Sequence, residues 1–329
     1  MTRILVTGAT GFIGTALCRD LKARGFEVSG TVRATGPEHH DQFDPVAVGE
    51  IGPDTDWSQI LGGIDAIVHL AGRAHDMGQA RTRQGLEILN LFRWVNVQAT
   101  KNLAEAAIAH EVRRFIYMSS IKVLGEHSAA AATGPRPFTD DDRAAPQDAH
   151  GTSKWEAECT LREIAAGSAM EPVILRPPLV YGPGVKGNFL SLMRICDGPW
   201  PLPLALVDNR RSLIYVGNLT DAVIACLSHD AAANQTFLVR DGEDMSTAEL
   251  TRRLRQGLGQ ARRLVPVPPL MLRLAGYVCR RRAETDRLTG SLVADDGRIR
   301  GELGWSPPFS FDDGLERTIS WYQTQSSRP

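Results

Sequence analysis

His150 and Lys154 lie four residues apart in the segment DAHGTSKWEAE and bring together an imidazole and an ammonium group. The residues from Trp155 onwards favour helix, and side chains four positions apart on a helix lie on the same face. An imidazole exchanges protons near neutral pH, so such a pair is suited to acid–base chemistry. The segment therefore predicts either an acid–base centre or a loop histidine beside a surface lysine.

A glycine-rich turn follows the first apolar segment of the chain, in the sequence GATGFIG at residues 8–14. Its first glycine permits a tight turn, the second lets a pyrophosphate approach the backbone, and the third lets a helix pack closely on the sheet. The free N–H groups and the dipole at the start of that helix favour bound phosphate. The turn therefore predicts a dinucleotide site with contacts from Gly8, Thr10, Gly11, Phe12, Ile13 and Gly14.

Short apolar segments alternate with helical patterns through the first 180 residues. Strands are predicted at residues 3–7, 27–33, 47–51, 66–70, 114–119 and 173–175, and helices at 13–24, about 82–110 and 153–166. This alternation predicts an α/β fold with a Rossmann-type, doubly wound parallel sheet. Proline and glycine become frequent after residue 178, and further helices are predicted near 216–227, 246–257 and 312–322.

The expected domain organisation follows from this change in composition after residue 178. We expect a dinucleotide-binding domain over residues 1–178, to which the chain returns near 205–239. The remainder of residues 179–329 is expected to form a smaller, discontinuous C-terminal substrate-binding lobe over the carboxyl edge of the sheet.

Composition excludes several classes of function. The chain has 329 residues, 43% of them hydrophobic, and a net charge of −1, so no overall charge points to nucleic acid or an anionic membrane. Its five cysteines are widely spaced without a C-x-x-C pair, which indicates reduced thiols in a cytoplasmic protein and no metal site. The apolar segment 270–279 is interrupted by Arg273 and is too short to span a membrane. We expect a helix packed on the protein there, rather than a helix on a membrane surface.

The spacing of the glycines resembles the fingerprint of extended short-chain dehydrogenases/reductases, in the family that contains UDP-sugar 4-epimerases and nucleotide-sugar reductases. Further resemblances, spread over the whole chain, are HLAG at 69–72, VNV at 95–97, RPPLVYGPG at 176–184 and LGW at 303–305. SSIKVLGE at 119–126 and GNF at 187–189 are most similar to bacterial polysaccharide enzymes that act at C4 of UDP-N-acetylhexosamines or their 4-keto-6-deoxy derivatives. The resemblance implies further cofactor contacts from Leu70, Ala71, Gly72, Asn96, Lys154 and Pro177.

The end of the second predicted strand bears on the choice of nicotinamide cofactor. NAD enzymes usually carry Asp or Glu there to bind the ribose 2′-hydroxyl, whereas this strand ends at Arg33. A guanidinium can pair with a 2′-phosphate, so NADP is favoured over NAD; the alternative is that Arg33 stacks on adenine or faces solvent. The resemblance places Glu50 where the family usually has an aspartate beside the adenine amino group.

The family resemblance also implies a catalytic set of Ser/Thr, Tyr and Lys, which this sequence matches at Ser120 and Lys154 but fills with His150 at the tyrosine position. Three readings stay open: a natural substitution in a slower or adapted enzyme, a variant of a tyrosine enzyme, or a protein that binds ligand without turnover. Lys122 is a second cation that could reach the sugar, or a charge at a loop edge. Tyr181 is a substitute proton donor, or a ring packed under its loop.

Substrate contacts follow from the same resemblance. They are implied at Arg211, which corresponds to an arginine on the UDP pyrophosphate, at Asn188, and at Arg287 as a second charge. The resulting hypothesis is an NAD(P)-dependent 4-reductase of a UDP-4-keto-6-deoxy-hexosamine, with a UDP-sugar 4-epimerase as the alternative and a catalytically impaired dinucleotide-binding protein as the second. In the family, the helices corresponding to 82–110 and to the one starting at 153 form a four-helix interface, so a homodimer is expected.

Overall fold

The computed structural model describes residues 1–34, 41–73, 85–279 and 282–326. Its strands, in chain order, are β1 (Arg3–Thr7), β2 (Glu27–Val32), β3 (Asp44–Ala47), β4 (Ala66–His69), β5 (Arg114–Met118), β6 (Ala130–Ala131), β7 (Gly134–Pro135), β8 (Glu171–Arg176), β9 (Leu179–Tyr181), β10 (Arg211–Tyr215), β11 (Thr236–Leu238) and β12 (Asp244–Met245). Seven of them form one sheet in the order β11-β8-β5-β4-β1-β2-β3. Every neighbouring pair in this sheet is parallel, so the Rossmann-type doubly wound sheet is confirmed.

The helices, in chain order, are α1 (Phe12–Ala23), α2 (Gly85–Arg93), α3 (Ala99–Ala109), α4 (Ala149–Ala165), α5 (Gly187–Cys196), α6 (Val216–Ser228), α7 (Thr247–Gly257), α8 (Pro269–Val278), α9 (Arg282–Thr289), α10 (Gly297–Leu303) and α11 (Phe311–Ser326). A π-helical turn at Trp94–Gln98 joins α2 to α3, so the long helix predicted from about residue 82 contains this turn. Residues 82–84 of that prediction lie outside the described residues.

Both faces of the sheet are covered by helices, which explains why its central strands are almost entirely apolar. In β1, alternate side chains enter two different cores: Ile4 and Val6 pack with Leu17 of α1, whereas Leu5 packs with Leu103 of α3. This division follows from the period of two along a strand. The direction of strand order reverses between β1 and β4, and a crevice at such a point is where α/β sheets bind ligands.

A second, smaller lobe is built around the three-stranded sheet β12-β10-β9. Its core contains Tyr181, Phe189, Tyr215, Leu254 and Phe311, which come from five separate segments of the chain. Between β10 and β12 the chain returns to the large sheet, where α6 packs in the α1 core and β11 is the edge strand. The lobe is therefore discontinuous in sequence.

Two predicted elements begin three or more residues from their observed starts. The third strand is Asp44–Ala47 rather than 47–51, because it is an edge strand that tolerates Pro45 and because Gly49, with φ of +67°, turns the chain away. Helix α4 begins at Ala149 rather than at residue 153. Asp148 is its N-cap and accepts a hydrogen bond from the Gly151 N–H at 2.7 Å, so the start of the helix lies one turn earlier.

Helix α8 differs most from expectation, since it does not bury its apolar face on the protein. Its buried side is at Gly276, where a Cβ atom would lie 2.0 Å from Thr285 Oγ1 of α9. The large apolar side chains are exposed by 58–79%: Leu270, Met271, Leu274, Tyr277 and Val278. Among the described residues, no helix combines the length and apolar character needed to cross a bilayer.

Candidate active site

The glycine turn between β1 and α1 leaves no room for side chains. Gly8 has φ of +71°, and a Cβ atom on it would lie 3.0 Å from the backbone nitrogen of Ala71 in the loop after β4. A Cβ atom on Gly14 would lie 2.1 Å from the Gly8 carbonyl oxygen. Gly11 closes the turn by donating its N–H to the same carbonyl at 2.9 Å. The backbone of the turn therefore packs directly against the backbone of the loop after β4, at the β1/β4 switch point.

This arrangement fits the phosphates of a dinucleotide. Gly11 is the N-cap of α1 and no side chain caps the helix, so the N–H groups of the first turn remain available to a ligand. Thr10 and Gly11 are exposed, and Phe12 and Ile13 are half-buried behind them. Backbone donors at a helix start, with no Cβ in front of them, are the groups that hold a pyrophosphate.

The outer end of the expected cofactor cleft carries one cation and one carboxylate. Arg33 directly follows β2 and is exposed, and Glu50 is exposed beyond the end of β3. Between the end of β2 and Ala34 there is no acidic residue. The structure thus brings Arg33 and Glu50 to the carboxyl edges of neighbouring strands, where the adenosine end of a dinucleotide lies in such folds.

A buried histidine, His69, supports the loop after β4. Its Nδ1 lies 2.7 Å from Thr7 Oγ1 and its Nε2 lies 3.1 Å from Thr100 Oγ1. Burial, together with the Lys154 ammonium, lowers the pKa of His69 to about 3, so the ring is neutral. The Thr100 hydroxyl donates to the Asn96 carbonyl at 2.6 Å, which leaves His69 Nε2 to donate and Nδ1 to accept from Thr7. The loop at Leu70, Ala71 and Gly72 therefore rests on a chain of neutral hydrogen bonds.

Asn96 ties this loop to the start of α4. It lies in the π-helical turn, a deviation from α-helix that often occurs at functional sites. Its side chain accepts from the Arg73 N–H at 2.8 Å and donates to Ser153 Oγ at 2.9 Å. Ser153 in turn donates to the His150 carbonyl at 2.9 Å. Asn96 thus holds the first turn of α4 against the loop after β4.

Lys154 lies in the second turn of α4, and its side chain points into the interior. Its side chain is buried, with Nζ donating to the Met118 carbonyl at 2.7 Å and lying 4.6 Å from the centre of the Tyr117 ring. A Cβ atom on Gly72 would lie 3.2 Å from Nζ, so the ammonium group borders the loop after β4. Burial lowers the pKa of Lys154 from 10.5 to about 8, although the charge of Glu158 opposes this change.

His150 lies one helical turn before Lys154 and is half-buried. Its ring meets the Phe92 ring edge to face, with the centroids 6.2 Å apart. Ser120 begins the short 3-10 turn after β5 and accepts from the Lys122 N–H at 3.3 Å. A Cβ atom on Gly151 would lie 2.7 Å from the Lys122 carbonyl, so the first turn of α4 packs on this 3-10 turn. The structure therefore brings the segments of Ser120, His150 and Lys154 together.

Lys122 is ion-paired with two carboxylates near the start of α4. Its Nζ lies 2.5 Å from Asp148 Oδ2 and 2.8 Å from Glu126 Oε1. Burial alone would raise the pKa of Asp148, but the Lys122 charge and the Gly151 N–H lower it to about 2. The Asp148 carboxylate is therefore charged at neutral pH and pairs with the Lys122 ammonium group. The alternative reading, a charge at a loop edge, fits these contacts.

Two arginines continue this charged cluster into the smaller lobe. Arg287 Nε lies 3.8 Å from Glu126 Oε2, and Arg211 Nη1 donates to the Arg287 carbonyl at 2.8 Å and to the Gly290 carbonyl at 3.1 Å. Arg211 is thereby oriented by the end of α9. Asn188 is exposed near the start of α5. The structure joins Arg211 and Arg287, and it leaves Asn188 open to a ligand.

Of the two readings of Tyr181, the structure supports a ring packed under its loop rather than a substitute proton donor. Its side chain is fully buried in the core of the smaller lobe and its hydroxyl donates to Asp241 Oδ2 at 2.8 Å. Burial, followed by the charge of Asp241, raises the pKa of Tyr181 far above its usual range. The ring packs between Phe189 and Phe311, which is the structural role left open for it.

The buried ion pair beneath the site was missed from the sequence. Glu158 on α4 is fully buried, pairs with Arg176 at 2.6 Å and accepts from Ser119 Oγ at 2.5 Å. Pro177, next to Arg176, is buried and its carbonyl accepts from the Ile121 N–H at 3.0 Å. The only available signal was Glu158 itself, which lies four residues after Lys154 and hence on the same helix face.

Comparisons with known proteins identify the family of the chain and agree with its Rossmann-type fold. The sequence model of the NAD dependent epimerase/dehydratase family matches residues 4–239. The chain is 41% identical to a UDP-glucose 4-epimerase of Vibrio cholerae over 328 residues, which are 99% of this chain and 97% of that protein. Its fold is similar to the crystal structure of a UDP-glucuronic acid 4-epimerase from Bacillus cereus in complex with NAD, with TM-score 0.77, 22% identity and coverage of 98% and 99% of the two chains. A Thermotoga maritima UDP-glucose 4-epimerase with UDP-glucose gives TM-score 0.78, 19% identity and coverage of 99% and 100%.

Proposed function

The chain belongs to the NAD-dependent epimerase/dehydratase family, and we propose that it moves a hydride between a nicotinamide cofactor and C4 of a UDP-linked sugar. The observation that carries this proposal is the position of Lys154. Its ammonium group borders Gly72 at the β1/β4 switch point, where Rossmann-type folds bind dinucleotides. His150 lies one turn away on the same helix and is half-buried, whereas Lys154 is buried.

Each side chain then has a separate task. The cofactor, when bound, supplies or accepts the hydride. The N–H groups at the start of α1 bind its pyrophosphate, and Lys154 holds its ribose beside the loop after β4. His150 exchanges the proton at the sugar C4 oxygen, and the Ser120 hydroxyl binds the same oxygen. Arg211 and Arg287 bind the diphosphate of the substrate, to which Asn188 adds a polar contact.

Net reduction of a UDP-4-keto-6-deoxy-hexosamine, as a step in polysaccharide biosynthesis, is the first candidate reaction. Arg33 supports it, because the described residues directly after β2 offer a guanidinium and no carboxylate, which suits the 2′-phosphate of NADP, the usual donor for net reduction. UDP-sugar 4-epimerisation with a retained NAD is the second candidate. It is supported by the 41% identity to the Vibrio cholerae UDP-glucose 4-epimerase.

One experiment separates the candidates. The protein and its His150→Tyr form are each given NADPH or NADH with a UDP-2-acetamido-2,6-dideoxy-4-ketohexose, and cofactor oxidation is followed at the nicotinamide absorbance band. In parallel, both forms are given UDP-glucose or UDP-N-acetylglucosamine with NAD, and the sugar products are identified by NMR. A reductase oxidises one cofactor per turnover, whereas an epimerase forms the C4 epimer with no net change in cofactor.

The outcomes are distinct. Turnover by the histidine form means that His150 or a neighbour supplies the proton. Turnover by the tyrosine form alone keeps the site and substrate assignment and identifies this chain as an impaired member of its family. If both forms bind cofactor but transfer no hydride with either class of sugar, the chain is a dinucleotide-binding protein without this activity, and the proposal is wrong.

We also propose that the protein is a cytoplasmic homodimer. All five cysteines are free thiols, as expected in a reducing compartment. At the helices expected to form the interface, Leu86 is 74% exposed and Trp94 54% exposed. Burial of these side chains between two copies would account for their exposure in a single chain. Light scattering of the purified protein measures the mass directly.

A further inference from the structure

Helix α8 presents an apolar face to solvent, and the pattern of that face is regular. Leu270, Met271, Leu274, Tyr277 and Val278 follow the i, i+1, i+4, i+7, i+8 spacing of one helix side. The opposite side carries Gly276, which packs on Thr285 of α9. A helix with this spacing normally turns its apolar face towards a core, so its outward orientation calls for a partner outside the chain.

The loop beside the entry to α8 adds further exposed apolar side chains. Val265 donates its N–H to the Leu202 carbonyl at 2.8 Å and accepts from the Ala205 N–H at 3.2 Å, so the loop at 199–206 is fastened to the segment that enters α8. Trp200 in this loop is 78% exposed and Leu206 is 49% exposed. Tryptophan with an apolar ring and a polar N–H is suited to the boundary between lipid and water.

Arginines outnumber carboxylates around this surface. Residues 258–279 contain three arginines and no acidic residue, while α9 carries Glu284 and Asp286, the latter 4.0 Å from Arg273 and 3.5 Å from Arg282. Arg262 and Arg263 are exposed shortly before α8, Arg273 lies on it and Arg282 begins α9. Arg273 is anchored to α9 by a hydrogen bond from Nε to Thr289 Oγ1 at 3.1 Å. An apolar helix face bordered by arginines is complementary to a bilayer that contains anionic lipid.

We propose that α8 lies in the surface of an anionic membrane and docks the enzyme there. The apolar face enters the boundary between headgroups and acyl chains, while the arginines pair with lipid phosphates. The surface is separated from the sugar site by one helix, because α9 packs on α8 and also carries Arg287, whose carbonyl orients Arg211. Docking therefore brings the diphosphate-binding side of the site close to the membrane. The proposal rests on α8 and its surroundings, and it stands whichever sugar the site accepts.

Sedimentation of the full chain with lipid vesicles tests the proposal. We expect binding to vesicles of phosphatidylcholine with about one third phosphatidylglycerol, and weaker binding to phosphatidylcholine alone. A double variant, Leu270→Glu with Leu274→Glu, should bind at least about tenfold more weakly, because two carboxylates oppose both the lipid tails and the anionic headgroups. Replacing Arg262 and Arg263 with Gln should weaken binding by about fivefold per arginine and should reduce its dependence on salt.

A matched variant keeps the face apolar: Leu270→Phe with Leu274→Phe should bind like the parent protein. All four leucine and arginine positions are half-buried or exposed, so each variant should keep its melting temperature and its affinity for the cofactor, which are measured on the same samples. The proposal is overturned if the parent protein does not bind anionic vesicles at low salt, or if the glutamate variant binds as well as the phenylalanine variant. It is also overturned if the glutamate variant instead changes the lipid-free mass, which would show that a second copy of the chain covers α8.

Discussion

The cofactor end and the sugar end of the site are built on different physical principles. At the cofactor end, backbone meets backbone: Gly8 and Gly14 pack against carbonyl and amide groups with no space for a Cβ atom. At the sugar end, charged side chains bind groups from distant segments: Lys122 pairs with the Asp148 carboxylate, and Arg211 donates to backbone carbonyls at the end of α9. The first kind of site should fail abruptly on a small substitution. The second should respond in small steps, because each charge keeps other partners.

The largest effect is expected for Gly14→Ala. The new Cβ atom would lie 2.1 Å from the Gly8 carbonyl oxygen, so the turn or α1 must move. We expect the free energy of unfolding to fall by about 3 kcal/mol or more and cofactor binding to be lost. Chemical denaturation and cofactor titration measure the two effects.

Gly301→Ala is the matched control, since Gly301 also lies in a helix but has no atom within 4 Å of the position of a new Cβ. It should stabilise the protein by about 0.5–1 kcal/mol, the usual difference in helix propensity. Equal effects of the two substitutions would mean that the glycine turn is not sterically closed, and the comparison between the two ends would fail.

A second prediction concerns His150→Phe. The new ring can keep the edge-to-face contact with Phe92, but it can neither give nor accept a proton. We expect kcat to fall by about 10²–10⁴, the usual effect of removing a positioned acid or base. Cofactor affinity should not change, because the contacts of the glycine turn are untouched. An unchanged kcat would assign the proton transfer to another group.

The third prediction uses the burial of Lys154, which lowers its pKa from 10.5 to about 8. In the proposed site its ammonium group holds the cofactor ribose, so Lys154→Met should lower kcat/KM by about 10²–10³. The same change should stabilise the cofactor-free protein by about 1–2 kcal/mol, since it removes a buried charge but leaves the Met118 carbonyl without its partner. Turnover assays and thermal unfolding should therefore move in opposite directions.

The titration of Lys154 also predicts opposite changes in stability and activity as the pH rises. Between about pH 8 and the unfolded-state pKa of about 10.4, the unfolded chain binds the proton and the folded chain does not, so this group makes stability rise with pH. Activity that depends on the ammonium group should decline over the same interval. The Lys154→Met variant should lack this contribution to the stability profile; an identical profile in both proteins would contradict the burial of a titrating lysine.

The predictable part of the molecule is the part whose signals are local in sequence. Strand β1 was predicted at its observed bounds because its buried apolar run ends at Gly8. Strand β3 was misplaced because an edge strand with the sequence DPVA carries almost no apolar signal. The spacing of the apolar residues in α8 predicts a helix but not its orientation, since the same pattern would face a core or a membrane.

In the site, too, only the features whose residues are adjacent in sequence could be predicted. GATGFIG could be interpreted from seven consecutive residues, whereas the pairing of Lys122 with Asp148 joins positions 26 residues apart. That pair forms only because α4 starts at Ala149 and its N-cap carboxylate faces the 3-10 turn after β5. Helix boundaries are uncertain by several residues in any sequence-based assignment, so a contact that depends on one N-cap could not be found in this way.

The smallest effect is expected at Asp148, where one carboxylate serves both as the N-cap of α4 and as a partner of Lys122. Asp148→Asn keeps a good capping side chain and removes only the charge, so it should lower the free energy of unfolding by about 1 kcal/mol, while Glu126 still pairs with Lys122. Asp148→Ala also removes the cap and should cost about 1 kcal/mol more.

Because the pKa of Asp148 is lowered to about 2, its charge stabilises the fold fully above about pH 4 and loses this effect as the pH falls through 2. Urea unfolding of both variants at pH 7 and at about pH 2 separates cap from charge, since the parent and Asp148→Asn should approach each other only as the pH falls to the folded-state pKa. Equal losses for the two variants at pH 7 would mean that the cap adds nothing to stability, and an unchanged stability of Asp148→Asn would mean that the ion pair adds nothing. A changed cofactor affinity in either variant would mean that the two ends of the site are not independent.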